Sequence, residues 1–509
     1  MSPHPTRALA VPFLGILASL QLIDPSVANN ALVKAGQSLA MQGPTLALAA
    51  SISTLAQAAT VLLMGFLGDR LERRQVLMGA LLLAIAGDGI ALAAPHAGLF
   101  LLGRALAGIA VGGVLVLSFA AVGAVSRADQ LGKALGVWHL WTIAGFIAGS
   151  LLGGLLANSS WRLGLGLVPL LALLCLALLP LLVPPMPADT KLRPDWPGLI
   201  SIAAAMVLFL SGVCHAIQGL SSPQFLVPSL SGVVLFGVHL LIERHRQEPI
   251  FPVALYRRGC FAAAIVSGIA GNVAWAVVQL QTSNFWQLVQ HFSTAQVAMA
   301  QLPLLVSSAV AAVPAGWLMR PGRRTTQLMA GGILVLVLGL LWFAAIRADS
   351  AYSALVMPMV LVGSGLAFMI VPQATLFVQE APPGSLGPVT AFRTTTGQFG
   401  FALGFAASAA MVNGFGAANL HQQVLKLGGT TVWSSELEAK VRAALGSGRL
   451  SHATGLPAQA IQLMSDTYAS GLAGTMLVAA LLVGLLGAIS LLLLVIGHRQ
   501  EGVEQGTRA

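Results

Sequence analysis

A short charged segment, residues 65–74, separates two long apolar runs, and it constrains the fold more than any other part of the chain. About 20 uncharged residues, 45–64, precede it, and 13 more, 75–87, follow it. A run of about 20 apolar residues is long enough to cross a bilayer as an α-helix. Because the segment contains two glycines and charges of both signs, it is predicted to be a tight turn between two membrane helices at the water boundary.

The composition extends this prediction to the whole chain. Hydrophobic residues make up 57% of the 509 residues and charged residues only 8%, whereas soluble domains carry about 25% charged residues. The net charge of +10 does not indicate nucleic-acid binding, because the lysines and arginines lie at the ends of apolar runs and form no basic stripe. The chain is therefore predicted to be an integral membrane protein with no nucleic-acid partner.

The sequence offers little that could support an enzyme. It has no nucleotide-binding loop, no metal-ligand cluster and no nucleophile–base pair at a meaningful spacing. Its three cysteines, Cys175, Cys214 and Cys260, lie within or beside apolar runs and are interpreted as small packing residues. We therefore predict that the chain is not an enzyme, that it binds no cofactor or metal, and that an ion gradient drives any transport.

Fourteen apolar segments, running from residues 9–31 to residues 470–496, predict fourteen transmembrane helices. An even number of helices places both termini on the same side of the membrane. Seventeen Lys and Arg residues lie on that side, whereas the short loops of the other side hold only Lys34, Arg162 and Arg347. Because basic loops stay in the cytoplasm, both termini are predicted to be cytoplasmic. The composition and the lack of trafficking signals suggest a plasma membrane of the bacterial inner-membrane type.

Residues 65–74 resemble the signature loop of the major facilitator superfamily, G-x-L-x-D-R-x-G-R-R, with Glu72 in place of the second glycine. The resemblance implies transport by alternating access, in which two halves rock about a central cavity. It also implies a cytoplasmic latch, or gate, formed by Gly65, Gly68, Asp69, Arg70, Arg73 and Arg74. The alternative for the arginines is that they anchor the turn at the membrane surface, where they would contact lipid headgroups.

An internal repeat supports the same architecture. Residues 316–324 echo the pattern of residues 65–74, which begins 251 positions earlier, but they lack the aspartate. Transporters of this superfamily are built from two parallel six-helix halves. We predict an all-α membrane protein with an N-terminal six-helix half at 1–190, an inserted helix pair at 191–256 and a C-terminal six-helix half at 257–509.

One long loop, residues 414–469, is expected on the outer side of the membrane. Residues 434–445 within it have helical spacing, with Leu437, Val441 and Ala444 on one face. The loop is interpreted as a cap over the outer mouth of the protein. The alternative is a docking site for a periplasmic adaptor protein.

Asp24 lies in the middle of the first predicted helix, where a charged group costs at least a few kcal/mol. Burial favours the neutral form of a carboxyl group, so Asp24 could bind and release a proton near neutral pH. Residues 22–32 resemble the helix 1 motif of the fourteen-helix drug:proton antiporters, L-D-x-T-I-V-N-V-A-L-P, with Pro25 and Asn30 as departures. Proton coupling or substrate binding by Asp24 follows from the resemblance. The alternative is a structural salt bridge or a helix-end role.

Arg104 lies near the start of the fourth predicted helix, in a segment that resembles the family's R-x-x-x-G motif. The resemblance implies that this arginine is buried and linked to proton transfer. Arg104 could pair with Asp24 or with Asp88, which lies near the outer end of the third predicted helix. Asp24 and Arg104 are therefore the candidate proton-coupling residues, and Asp88 is interpreted as a structural partner.

The fifth predicted helix carries a stripe of small residues at a spacing of four. This stripe resembles the antiporter motif G-x-x-x-G-P-x-x-G-G, which is associated with exporters, and it consists of Gly145, Gly149, Ser150, Gly153 and Gly154. Ser150 replaces the proline of the motif. The alternative is close helix packing of a general kind, which small residues allow in any membrane protein.

Polar and aromatic side chains of three predicted helices are the candidates for a substrate cavity. Asn272, Trp275 and Gln279 share one face of the ninth helix, and this face should line a cavity because polar groups in lipid need partners. Gln21 of the first helix and Gln57 of the second would complete the lining. The alternative is that these side chains only form hydrogen bonds between helices.

Arg393 opens the thirteenth predicted helix, in a segment that resembles the family's R-x-x-G-x-x-x-G pattern with Gly400 one position early. It is assigned to the same cavity. It could contact an anionic group of a substrate, line the cytoplasmic gate or have a structural role, and the sequence leaves these three alternatives open.

The predicted function is that of a proton-coupled efflux antiporter, which exports lipophilic or amphipathic small molecules such as drugs, biocides or metabolites. Its expected partners are the small-molecule substrate, protons and membrane lipids. A proton-coupled uptake symporter and a lipid transporter on the same fold are the alternatives.

Overall fold

The computed structural model describes eight ranges of the chain, namely residues 5–41, 43–186, 195–215, 221–245, 253–319, 323–382, 385–426 and 458–506. Within these ranges the regular structure is helical. Fourteen of the helices are long and apolar enough to cross a membrane. The predicted all-α membrane fold and the predicted helix count are therefore confirmed.

In chain order, the membrane helices are α1 (Pro5–Ser38), α2 (Gly43–Arg70), α3 (Arg73–Ala93), α4 (Ala97–Val125), α5 (Leu131–Ser159), α6 (Trp161–Leu182), α7 (Trp196–Cys214), α8 (Pro223–His245), α9 (Gly259–Leu288), α10 (Leu302–Leu318), α11 (Arg323–Phe343), α12 (Tyr352–Gln379), α13 (Leu386–Lys426) and α14 (Ala458–Gly506). Two short helices, Val253–Tyr256 and Thr294–Ala300, precede α9 and α10. We call the membrane face at which α1 begins and α14 ends the terminal face. The α2–α3 turn lies on this face.

The segment 414–469, predicted as a loop, is helical at both ends. Helix α13 continues to Lys426, and α14 begins at Ala458. The two helices pack on each other near these ends, because Val412 of α13 and Tyr468 of α14 are buried in one shared core. The predicted cap helix, and with it the alternative of an adaptor site, lies outside the described residues.

Helix α4 occupies the interior of the first six helices, and its small residues let its neighbours approach closely. A Cβ atom on Gly103 would lie 2.6 Å from the carbonyl oxygen of Gly87 on α3, and a Cβ atom on Gly87 would lie 2.6 Å from the backbone nitrogen of Ala107. Small residues permit this backbone approach, and dispersion between the helices then stabilises the pair. The close approach of α3 to α4 positions the acidic residue that follows Gly87.

The helices α1–α6 and α9–α14 have separate cores at the face opposite the termini. One core joins the ends of α1, α2, α3, α4 and α6, and the other joins α9, α11, α12, α13 and α14. Towards the terminal face the two groups share their cores, since Ala374 of α12 packs with α1–α6 and Val61 of α2 packs with α9–α14. The described state is therefore closed at the terminal face.

Two pairs of glycines make this closure tight. A Cβ atom on Gly65 of α2 would lie 2.6 Å from the carbonyl oxygen of Gly387 on α13. On the other side of the bundle, Gly132 of α5 meets Gly316 of α10, and a Cβ atom on Gly132 would lie 3.2 Å from the Gly316 carbonyl oxygen. Gly65 and Gly316 are the corresponding glycines of the two repeated loops, so the contacts follow the internal repeat.

The helices α7 and α8 lie beside this bundle. Helix α7 packs on both α2 and α13, with Met206 of α7 buried against Ala58 of α2 beside Phe399 of α13. Helix α8 packs on α7 and exposes large apolar side chains such as Val234 and Leu241. The division of the chain at residues 191 and 256 stays a prediction.

The α3–α4 contact can be tested by adding volume to one glycine. Gly87→Val is expected to lower the thermal midpoint of the detergent-purified protein, because overpacking a tight contact costs about 1–3 kcal/mol. Gly89→Val on the same helix is the matched control, since a Cβ atom there would meet nothing within 4 Å. Differential scanning fluorimetry measures both variants, and equal shifts would contradict the assignment.

Candidate functional site

Three charged side chains form a buried triad between α1, α3 and α4. The guanidinium of Arg104 donates from Nη1 to Asp24 Oδ1 at 2.6 Å and from Nη2 to Asp24 Oδ2 at 2.9 Å. The same Nη1 also donates to Asp88 Oδ1 at 2.8 Å. Ser53 of α2 donates to Asp24 Oδ2 at 3.2 Å. Four helices are thus joined at one buried point.

The backbone brings these groups together at points of close helix approach. Asp88 directly follows Gly87, whose contact with α4 places α3 beside Arg104. Ser53 lies against Gly108 of α4, where a Cβ atom would lie only 2.7 Å from the Cα atom of Ser53. The arginine therefore reaches its partners because glycine leaves room for the neighbouring backbones.

The triad holds one more acid than base. Arg104 is 2% exposed, and both aspartates are 0% exposed. Arg104 supplies two hydrogen bonds to Asp24 but only one to Asp88, and Asp88 Oδ2 has no hydrogen-bond partner among the described residues. If both carboxyl groups are ionised, the buried group carries a net charge of −1.

The predicted latch brings Asp69 to the start of α13. Asp69 Oδ2 accepts a hydrogen bond from the backbone nitrogen of Gly387 at 2.6 Å, and Asp69 Oδ1 pairs with Arg73. Arg73 also donates to the carbonyl oxygen of Ala120 on α4 at 3.3 Å. A carboxylate at a helix N-terminus interacts favourably with the helix dipole. The contact between Asp69 and Gly387 therefore joins the two groups of six helices.

The remaining latch residues lie around this contact. Gly68 faces Leu117 of α4. Arg74 pairs with Glu72 at 3.4 Å, and its Nη1 donates to the carbonyl oxygen of Val183. Arg70 ends α2 and is half-buried. Glu72, which stands where the family pattern has glycine, thus has a partner within the turn.

The small-residue stripe of α5 packs along α1. Gly145, Gly149 and Gly153 lie against Ser19, Ile23 and Val27, respectively, so glycines at a spacing of four face side chains at the same spacing. This arrangement fixes α1 on both sides of Asp24.

The other two residues of the predicted antiporter motif lie beside that face. Ser150 is half-buried, and its hydroxyl has no partner among the described residues. Gly154 lies near Asn30 of α1, with 3.7 Å from a Cβ position to the side-chain nitrogen. The link between this motif and export stays a prediction.

The residues predicted to line the cavity fall into two places. Trp275 packs against Ile143 of α5 and Leu305 of α10, at the boundary between the two groups of six helices. Its indole nitrogen donates to Gln279 at 3.1 Å, and Asn272 donates to the carbonyl oxygen of Gly268 at 2.8 Å. The polar groups of this stripe therefore find partners within α9 itself.

The two predicted cavity residues of α1 and α2 are placed differently. Gln57 is buried against Gly112 of α4, a contact within the first group of six helices. Gln21 is half-buried on α1, next to Leu22, which packs in the Trp275 cluster. The structure thus brings Gln21 close to the boundary.

Arg393 spans the same boundary nearer the terminal face. Its guanidinium lies 4.4 Å from the ring centroid of Phe119 on α4, and its Nε donates to Gln373 Oε1 of α12 at 3.3 Å. Close by, His139 of α5 hydrogen bonds to Ser308 of α10 at 3.1 Å. Phe119, Gln373 and Ser308 belong to no motif in the sequence, and only the fold reveals them.

The Asp69 contact predicts how the terminal face opens. Asp69→Asn removes the charge partner of Arg73 and weakens the bond to Gly387, and hydrogen bonds to charged groups are worth about 1.5–3 kcal/mol. The population with an open terminal face is therefore expected to rise roughly tenfold or more. Spin labels at exposed Gln75 and Arg257, in a cysteine-free background, would report this as a longer distance in pulsed electron paramagnetic resonance.

A matched control is available on the same face. Asp129 is 68% exposed in its side chain and pairs with Arg127 in water, so Asp129→Asn should leave the distance distribution unchanged. An unchanged distribution in Asp69→Asn as well would show that this carboxylate does not hold the face closed.

Comparisons with known proteins identify the family of this chain. The model of the Major Facilitator Superfamily matches residues 14–405. The puromycin resistance protein pur8 of Streptomyces alboniger is 26% identical over 431 residues, which cover 82% of this chain and 84% of that protein. The multidrug efflux pump LfrA of Mycolicibacterium smegmatis is 26% identical over 506 residues, which cover 94% of this chain and 95% of that protein.

Solved structures of transporters show a similar fold. The human organic anion transporter MFSD10 (TETRAN) superposes with a TM-score of 0.58 at 16% identity, covering 94% of this chain and 100% of that one. At this identity the likeness shows the fold alone. The names of the relatives fit the drug-efflux branch that the sequence resembles. With the family match extending over most of the fourteen helices, this chain is a multi-pass membrane transporter that belongs to the Major Facilitator Superfamily.

Proposed function

We propose that this transporter is a proton-coupled efflux antiporter that exports lipophilic or amphipathic small molecules by alternating access. The names of two relatives, a puromycin resistance protein and a multidrug efflux pump, support export. In this proposal the terminal face is cytoplasmic, as the distribution of Lys and Arg predicts. Its closure then makes the described state the outward-facing one, in which substrate leaves and a proton binds.

The observation that carries proton coupling is the charge of the triad. When both aspartates are ionised, the two aspartates and one arginine, all buried, leave one negative charge without a counter-ion. An uncompensated buried charge costs several kcal/mol, whereas a proton neutralises it at once. The triad is therefore suited to hold one exchangeable proton, which it takes up from one side and releases to the other.

Hydrogen bonding assigns different roles to the two carboxyl groups. Asp24 accepts three hydrogen bonds, two from Arg104 and one from Ser53. Asp88 accepts one, and its Oδ2 is free to carry a proton. We infer that Asp88 carries the proton in the described state, while Asp24 and Arg104 form the ion pair that sets its affinity.

The packing of α1 offers a route from the triad to the gate. Helix α1 lies along the glycine face of α5, and α5 in turn meets α10 at the terminal face through Gly136 and Ala312. A change in the charge of the triad alters how firmly Arg104 holds α1 against α4. This change would be passed through α5 to the contact that closes the terminal face.

The test uses everted membrane vesicles with a respiration-driven pH gradient, followed with a pH-sensitive dye. A panel of biocides, dyes, fatty acids and phenolic acids is added to the wild type. Some compound is expected to dissipate the gradient as it exchanges for protons. Asp24→Asn and Asp88→Asn should both slow this exchange at least roughly tenfold, because removing either carboxylate leaves the triad neutral without a proton.

A second measurement and a control variant distinguish the roles of the two aspartates. Asp88→Asn keeps the ion pair of Asp24 with Arg104, so it should still bind substrate and exchange labelled substrate down a concentration gradient. Asp349→Asn, at an exposed position on the opposite face, is the control and should behave as wild type. Undiminished proton exchange in Asp88→Asn would place the proton elsewhere. If no compound moves protons although the protein is folded and abundant, uptake or lipid transport replaces drug export.

A further inference from the structure

Arg393 differs in its partners from the two buried arginines of the described chain. Arg73 and Arg104 are fully buried, and each pairs with an aspartate. Arg393 is half-buried, yet no carboxylate lies in salt-bridge distance of it among the described residues. A cation withdrawn from water needs a counter-ion or a full set of hydrogen bonds. Arg393 lacks both within the part of the chain that the structure describes.

Uncharged side chains contact the guanidinium. Of its five N–H donors, only Nε has a hydrogen bond to a described residue, the amide oxygen of Gln373. The ring of Phe119 covers one face of the guanidinium, and His139, hydrogen bonded to Ser308, lies on the same boundary. Four donors of a positively charged group are therefore available to an anion.

An apolar surface continues from this point towards the opposite face. One helical turn beyond Arg393, Gly397 lies beside Asn272 of α9, and Trp275 follows on the same face of α9. Trp275 is half-buried among Phe146 and Ile147 of α5. A cation at one end and an aromatic, apolar surface at the other match a molecule with an anionic head and an apolar body.

We propose that Arg393 is the binding subsite for an anionic group, such as a carboxylate, of an amphipathic substrate. The inference rests on the proposed function only in taking this boundary as the substrate site. It requires no assumption about the proton. The competing explanation is that Arg393 merely braces Phe119 to hold the terminal face closed.

The test is a fluorescence binding titration of the purified protein with dansyl-labelled undecanoic acid and with its methyl ester, at one pH and without a gradient. Wild type is expected to bind the acid more tightly than the ester. Arg393→Gln should weaken binding of the acid roughly tenfold or more, because charge-assisted hydrogen bonds are lost, and should leave binding of the ester unchanged. Arg393→Lys, which retains the charge, should recover part of the preference.

Control variants distinguish an anion-binding role of Arg393 from a structural role in bracing Phe119. Phe119→Leu removes the aromatic face but leaves the cation, so it should keep the preference for the acid. Arg347→Gln, at an exposed site, should change nothing. Equal binding of acid and ester by wild type, or equal weakening of both by Arg393→Gln, would overturn the proposal, as would loss of the preference in Phe119→Leu. Thermal midpoints of all variants exclude misfolding as the cause.

The outcome is independent of the proposed proton coupling. A preference for the acid that depends on Arg393 supports this inference even if the vesicle assay finds no proton exchange. Proton exchange with neutral or cationic compounds alone, together with no preference in the titration, would leave the antiporter standing and remove the anionic subsite.

Discussion

The division of one guanidinium between two carboxyl groups is the interaction on which the first six helices depend. In the membrane interior, where water cannot solvate them, Asp24, Asp88 and Arg104 can be stable only together. Their mutual attraction sets the positions of α1, α3 and α4, and Ser53 adds α2. The same desolvation that makes the triad structurally necessary makes its protonation state energetically decisive, so one arrangement would serve both the architecture and the proposed proton exchange.

Glycine supplies the geometry that this interaction needs. At Gly87, Gly103 and Gly108 the backbones of α3, α4 and α2 come so close that any side chain would collide with them. The glycines of α5 do the same for α1. Polar attraction therefore selects which helices meet in this half of the protein, and small residues determine how closely they meet.

The sequence was sufficient for the helix count, because fourteen apolar runs have the length that a bilayer requires. It was also sufficient to predict that Arg104 pairs with Asp24 or with Asp88, since charges within membrane spans must find one another. It did not predict that Arg104 binds both aspartates at once. The contact with Asp88 depends on the close approach of α3 to α4 at Gly87, and Gly87 looks like many other glycines of membrane helices. The extension of α13 and α14 was missed because the two segments continue as helices beyond their apolar runs.

Gln57 illustrates what polarity alone leaves open. Its polarity predicts a cavity residue, and its side chain lies against Gly112 inside one group of helices, so its part in a cavity stays a prediction. A polar stripe identifies residues that need partners, and only the three-dimensional packing decides whether those partners are a ligand, water or another helix.

The two repeated loops close the terminal face by unequal means. The seam between α2 and α13 combines a glycine contact with a carboxylate that holds a helix N-terminus. Next to the terminal face, the described part of the α5–α10 seam packs backbone on backbone at Gly132 and Gly316, and Lys133 lies over the ring of Trp317. The hydrogen bond between His139 and Ser308 lies deeper on the same seam. The second loop has no aspartate to add. A charge–dipole contact is directional and fails abruptly once its atoms separate, whereas dispersion between smooth glycine surfaces tolerates sliding and rotation. In the proposed alternating access, the α5–α10 seam would therefore serve as a pivot and the α2–α13 seam as a catch, which would make the rocking of the two halves asymmetric about the internal repeat.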